Sequence, residues 1–316
     1  PESLTQEERL CIVSMVRNGI EMAQRATIWA FLIPTVADVD LQSSYNKFLL
    51  KTSVYEAQII RDLPRTFPHH QYFSKLSGEG QESLFKVVNA YSLFDNEVGY
   101  CQGISFIAGI LLLFFRPSDA FALLVRIMHH YSLRNNYLPG MDGLHQRLYQ
   151  FDCLLRKHIP LLYKRLKEKG TYSMMYASQW FLTIFTYKFP FEFALLIFDN
   201  YLLEGQSFLF KVGIALLKRN ESFLEMLEFD ELLEFLTMKL YYVYIDNPID
   251  LIQDASKIEV TKEELELLLA EYHRNELLDS LDGFKASSLL EENENLKIII
   301  GCLEEEINFL QLEQKT

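Results

Sequence analysis

The chain has 316 residues, nearly half of them hydrophobic and including 24 Phe and 17 Tyr, so it holds enough apolar side chain to bury a sizeable core and is not a disordered segment. Its formal net charge of −13 repels phosphate backbones and anionic lipid, which argues against nucleic acid as a partner. The four cysteines (Cys11, Cys101, Cys153 and Cys302) are far apart and form no CxxC pair, which points to free thiols in a reducing, cytoplasmic compartment.

Apolar residues recur at helical spacing almost throughout, and sustained alternation of period two is absent, so an all-α fold is expected. No secretory leader opens the sequence, and a start at Pro1 suggests a fragment of something longer. In "YEAQIIRDLPRTFP" (55–68), Pro64 disfavours helical geometry at Leu63, so a helix should end near Asp62, and Pro68 keeps another from restarting. Arg65 then sits on a short stiff segment in a locally basic stretch that also holds Arg61 and Lys75. The run "ISFIAGILLLFF" (104–115) is too short for a bilayer, which needs about 20 residues, and reads as a buried helix. In "SDAFALLVRIMHHY" (118–131), Phe121, Leu124, Val125, Met128 and Tyr131 share a stripe, with a helix start at Pro117-Ser118. The segment 229–244 behaves alike.

The turn-rich "NNYLPGMDG" (135–143) is the clearest break, so the globular part divides there into lobes 1–140 and 141–250. An acidic helical tail, 251–316, follows, and residues 256–316 alone carry 15 acidic and 6 basic side chains. Thr261 and Glu264 form a capping box. Leu289, Leu296, Leu303 and Leu310 recur every seven residues, with Asn293, Ile300 and Ile307 at the other seam position. That pattern predicts a two-stranded parallel coiled coil over about 286–313 and a homodimer through 289–310; the alternative is an amphipathic helix folded back on the body.

Several chemistries find no support. The seven histidines contain no HExxH, and no Cys/His cluster has zinc spacing, so no metal is expected. "GEGQES" (78–83) lacks the Lys-Ser/Thr of a phosphate-binding loop. Cys101 in "GYCQG" is open to two readings, a nucleophile or a small buried hydrophobe, and no base or cation is marked out to activate it.

Singly, Arg65 reads as a helix-end cation and Gln102, between Gly99 and Gly103, as a surface amide. Together they lie in three ordered motifs: Arg25-x-x-x-Trp29, Ile59-x-x-Asp62-x-x-Arg65 and Tyr100-x-Gln102. At these residues the sequence resembles the TBC-domain family of Rab GTPase-activating proteins, over about residues 17–245. "YLPGMDGLHQRLYQFDCLL" (137–155) is similar to its fungal branch, which acts on secretory-pathway Rabs. One departure is Ala26, where the family usually has Gly.

The resemblance implies a two-lobed helical TBC domain that completes the active site of a GTP-bound Rab in trans. Arg65 would be the arginine finger and Gln102 the glutamine finger, with Ile59, Asp62, Tyr100, Arg25, Trp29, Gly99 and Gly103 supporting them. Asp62 reads either as a brace for Arg65 or as a plain helix-end carboxylate. The chain would catalyse no reaction of its own and need no cofactor, since GTP and Mg²⁺ arrive with the partner. Peripheral recruitment to vesicle membranes, without a transmembrane segment, follows from the same resemblance. A non-catalytic Rab-binding adaptor is the competing reading, and loss of Arg65 or Gln102 would have marked it.

Overall fold

The computed structural model describes residues 6–33 and 39–278, and every regular element among them is helical. The α-helices are α1 (Gln6–Asn18), α2 (Met22–Leu32), α3 (Val39–Phe48), α4 (Glu56–Asp62), α5 (Glu79–Phe94), α6 (Ile104–Leu112), α7 (Pro117–His130) and α8 (Asp142–His158). They continue as α9 (Pro160–Glu168), α10 (Ser173–Tyr176), α11 (Ser178–Thr183), α12 (Phe191–Glu204), α13 (Gln206–Arg219), α14 (Glu221–Leu224), α15 (Phe229–Met238) and α16 (Ile249–Ser256). The expected coiled coil and dimer seam, and Cys302, lie outside the described residues.

Helix α6 contains no charged residue, and all nine of its residues are buried, as an apolar helix in water requires. It packs on α5 and α7, and α3 lies against those two. Phe121, Leu124, Val125 and Met128 of α7 are buried as their spacing predicted, and Tyr131 beyond its end donates to the Leu202 carbonyl at 2.7 Å. A second cluster gathers α8, α11, α12, α13 and α16, with Phe151 against Trp180 and Phe181.

The described residues up to Leu265 form one compact unit, and the expected boundaries shift for physical reasons. Helices α1 and α2 leave their sequence neighbours and pack on α12, where buried Asn200 donates to the Val16 carbonyl at 3.3 Å. The stretch around residue 140 is a packed connector: Asn136 donates to the Phe181 carbonyl at 3.3 Å and Tyr137 to that of Leu182. The tail begins later than 251, because Leu251, Ile252, Ala255, Ile258 and Val260 are buried and α16 lies along α13. Of the second unit, 266–316, the described residues 266–278 are helical. Among the described residues no helix is long and apolar enough to cross a membrane.

Candidate functional site

Helix α4 stops at Asp62 and a 3-10 turn, Leu63–Arg65, follows. Contrary to expectation, Leu63 keeps helical angles (φ −55°, ψ −48°) despite the proline after it, and the α ladder ends because Pro64 has no N–H to continue it. Thr66 locks that turn from below: its fully buried hydroxyl donates to the Asp62 carbonyl at 3.0 Å and lies 3.2 Å from Ser105 Oγ. The Arg65 side chain is 49 % exposed while that of Asp62 is 3 % exposed. Arg65 therefore leans outward on a carboxylate that is itself part of the core.

Asp62 divides its two oxygens. Oδ1 accepts from Arg65, at 2.9 Å from Nε and also from Nη2. Oδ2 accepts from the buried Tyr100 hydroxyl at 2.7 Å. One carboxylate thus ties the segment carrying Arg65 to the segment carrying Gln102, and Asp62 is a brace rather than a solvated helix end. The hydrogen bond to Asp62 raises the Arg65 pKa, so the guanidinium is charged at any working pH. Burial, and then the bond to Asp62, push Tyr100 upward and keep it a donor. Burial likewise raises the Cys101 thiol, with the Asp62 charge adding to it, which opposes thiolate chemistry there.

Gln102 lies at a turn before α6, half-buried, and its carboxamide makes no hydrogen bond to any described residue. The glycines on either side are needed for their backbone. Gly99 has φ +58°, and a Cβ there would lie 2.4 Å from the Tyr55 ring. Gly103 has φ +124°, a conformation that L side chains rarely adopt. Ile59 of α4 is fully buried.

Arg25 and Trp29 lie one helical turn apart on α2 and meet one partner. Asp199 of α12, fully buried, accepts from Arg25 Nε at 3.1 Å, from Arg25 Nη2 at 3.1 Å and from Trp29 Nε1 at 2.7 Å. Burial pushes the Asp199 carboxyl up to about 6, against the pull of Arg25 and Trp29. The first motif is a clamp between α2 and α12.

Beside Arg65 the surface opens into a groove of about 480 Å³ between residues 65–70 and 186–191. Phe106 and Tyr241 complete its wall.

Residues 22–225, close to two-thirds of the chain, match the family model of the Rab-GTPase-TBC domain, RabGAP-TBC. The chain belongs to the RabGAP-TBC family. Among curated relatives, the GTPase-activating protein GYP5 of Saccharomyces cerevisiae is 43% identical over 78% of this chain and 26% of its own length. The Rab GTPase-activating protein tbc-11 of Caenorhabditis elegans is 39% identical over 83% and 29%. The human ecotropic viral integration site 5 protein homolog is 35% identical over 96% and 37%. The chain thus spans about a third of the length of the relatives it matches. In fold it is similar to the TBC domain of a Chlamydomonas flagellar RabGAP (24% identity, TM-score 0.67, 80% of this chain and 86% of that one). It is also similar to the Ypt/Rab-GAP domain of Gyp1p (19%, TM-score 0.63, 84% and 93%).

Two features of this RabGAP-TBC chain escaped sequence reading. One is Asp199, a lone carboxylate in the apolar run "FALLIFDNYLL" (193–203), where a single charge among buried positions signals a partner. The other is the anchor of the Gln102 loop. Asp95 accepts from Arg134 Nε at 2.6 Å and Nη2 at 2.8 Å, and from the Val98 N–H at 3.3 Å. Burial pushes Asp95 up, but Arg134 and the Val98 N–H outweigh it and hold the carboxyl below its ordinary value.

Proposed function

We propose that this RabGAP-TBC chain accelerates GTP hydrolysis by a Rab-family GTPase, contributing Arg65 and Gln102 to a site whose GTP and Mg²⁺ belong to the partner. In that reaction water attacks the γ-phosphorus, the bond to the β-phosphate oxygen breaks, and GDP and inorganic phosphate leave. Charge accumulates on the phosphoryl oxygens, and a guanidinium delivered in trans is worth roughly 10³- to 10⁵-fold in rate. Arg65 suits that task because its planar fork matches phosphate oxygens. Gln102 suits the second, since a carboxamide can accept from the water and donate to phosphate at once.

The observation that carries this reading is the division of Asp62. A half-exposed Arg65 is held by Oδ1 while buried Tyr100 holds Oδ2. The cation is thereby preordered at the surface, with part of its rotamer entropy already lost before a partner arrives. The reading extends to trafficking membranes, where this chain would meet its Rab as a peripheral protein, and to a homodimer through 289–310. Light scattering on the full chain tests the latter, and a monomeric mass rejects it.

The function itself is tested by phosphate release from a panel of GTP-loaded Rabs. At least one Rab should respond to the wild-type chain. A panel on which the wild-type chain binds but speeds none would instead assign it to the adaptor class.

A further inference from the structure

The loop that carries Gln102 runs from Asp95, just past the end of α5, to Gly103, just before α6. The Gln102 carboxamide has no hydrogen-bond partner among the described residues, so its placement depends on how firmly that backbone is held. Asp62 holds the loop at Tyr100. Two further holds come from one short element, the 3-10 turn Leu133–Asn136 that follows α7, and from Tyr137 at its end.

Arg134 grips the first end. Its Nε and Nη2 donate to Asp95 Oδ2 at 2.6 Å and Oδ1 at 2.8 Å, one prong to each oxygen, and Nη2 also donates to Glu97. The Arg134 side chain is 19 % exposed and that of Asp95 5 %, so the pair is largely shielded from water. A two-pronged ionic pair fixes direction as well as distance. Asp95 passes that direction into the loop: its carboxylate takes the Val98 N–H at 3.3 Å, and its carbonyl takes the Gly99 N–H at 2.8 Å. Tyr137 braces the other end, and its own N–H closes the turn on the Arg134 carbonyl at 3.0 Å. Its hydroxyl donates to the Leu182 carbonyl, and Gly103 packs against both groups. A Cβ on Gly103 would lie 3.2 Å from that oxygen and 3.4 Å from the Tyr137 ring. One turn therefore touches the loop on both sides of Gln102.

Resting on the role of Gln102 proposed above, we propose that Arg134 is a positioning residue for GTP hydrolysis, aiming the glutamine finger through Asp95. Its own hydrogen bonds go to Asp95 and Glu97, and to neither Gln102 nor Arg65. A shielded ion pair adds little net stability over apolar side chains of the same volume, because desolvation offsets the attraction. What the pair adds here is direction, in a loop whose functional side chain has no partner of its own. Chemistry is sensitive to direction: a misplacement of about 1 Å can cost about 10²-fold in rate. The effect belongs on kcat, because a carboxamide that orients water acts in the transition state and contributes little to holding the GTPase.

The test is steady-state phosphate release on a responsive Rab with wild type, Arg134→Gln, Arg134→Lys, Gln102→Ala and the Arg134→Gln/Gln102→Ala double variant, each shown to be folded by circular dichroism. Asp199→Asn is the control for destabilisation alone, since its bonds go to Arg25 and Trp29. Arg134→Gln should lower kcat about 10-fold or more and leave KM within about 2-fold. Arg134→Lys keeps the charge without the fork, so it should lose part of that rate, and it carries the test if the Gln variant does not fold. Once Gln102 is Ala there is no carboxamide to aim, so adding Arg134→Gln should then cost less than about 2-fold. Asp199→Asn should keep its kcat. The assignment of Arg134 alone is overturned if its variants keep wild-type kcat while Gln102→Ala is crippled. It is equally overturned by the same kcat loss with and without Gln102, or by a matching loss in Asp199→Asn, either of which would mark a merely structural role. Wild-type kcat in Gln102→Ala would instead strike the proposed role of Gln102, and this inference with it.

Discussion

Replacing Asp62 with Asn keeps the shape of the brace and removes its charge. In the wild type both carboxylate oxygens accept, Oδ2 from Tyr100 at 2.7 Å and Oδ1 from Arg65 Nε at 2.9 Å. An amide has one acceptor oxygen, so one of the two donors would face an NH₂ group. A buried hydrogen bond to a charged group contributes about 1.5–3 kcal/mol. The half-exposed Arg65 end adds no more than about 1 kcal/mol after solvent screening. The loss should therefore total about 3 kcal/mol, which for a folded unit of this size lowers the melting temperature by about 6–12 °C. Freeing the Arg65 side chain restores up to about 2 kcal/mol of rotamer entropy, so kcat/KM should drop by up to about 30-fold. Tyr100→Phe removes only the buried half. It should cost comparable stability but less rate, because Arg65 keeps its bond to Asp62. Circular-dichroism melts and phosphate release read both quantities. An Asp62→Asn variant with wild-type melting temperature and rate would refute the brace, and so would a Tyr100→Phe variant that lost more rate than Asp62→Asn.

Gly99→Ala places a Cβ 2.4 Å from the Tyr55 ring at φ +58° and should cost about 2–4 kcal/mol. Gly170→Ala, at φ +71° with nothing within 4 Å, should lose only the backbone share of about 1 kcal/mol, and equal urea midpoints for the two would contradict the steric argument. Asp199→Asn leaves Arg25 buried without its counter-charge, so urea unfolding should show a loss of about 3–5 kcal/mol while kcat of the folded fraction holds. Asp95 titrates below its ordinary value, so its contribution is present above about pH 4 and is lost as pH falls through the depressed folded value. Arg134→Gln should therefore melt lower than wild type at pH 7, with the gap closing below about pH 4. A gap constant down to pH 2 would rule that linkage out.

What the sequence disclosed follows from the range of the interactions involved. Pro64 acts locally, so the end of α4 at Asp62 could be read directly, although Leu63 kept the helical angles it was expected to lose; the stripe on α7 was equally legible. The Thr261 cap is equally local, and its hydroxyl accepts the Glu264 N–H at 3.1 Å. The motifs around Arg65 and Tyr100 could be read because they resemble those of a known family, although the carboxylate the two residues share emerges only when positions 38 apart in the chain come together. Long-range partners were out of reach. Nothing near Arg25 and Trp29 announces Asp199, 170 residues or more away, and nothing near Asp95 announces Arg134. The tail boundary was misplaced because acidity dominates the composition after residue 256, while the apolar face of α16 is short and shows its role only against α13.

The central claim is that Arg65 acts on another protein's nucleotide, and single-turnover hydrolysis on a responsive GTP-loaded Rab at saturating chain addresses it most directly. The account predicts a loss of about 10²-fold or more for Arg65→Ala and little rescue by Arg65→Lys, whose point charge lacks the fork. It predicts a further, separate loss for Gln102→Ala. Turnover by Arg65→Ala as fast as by the wild-type chain would contradict it.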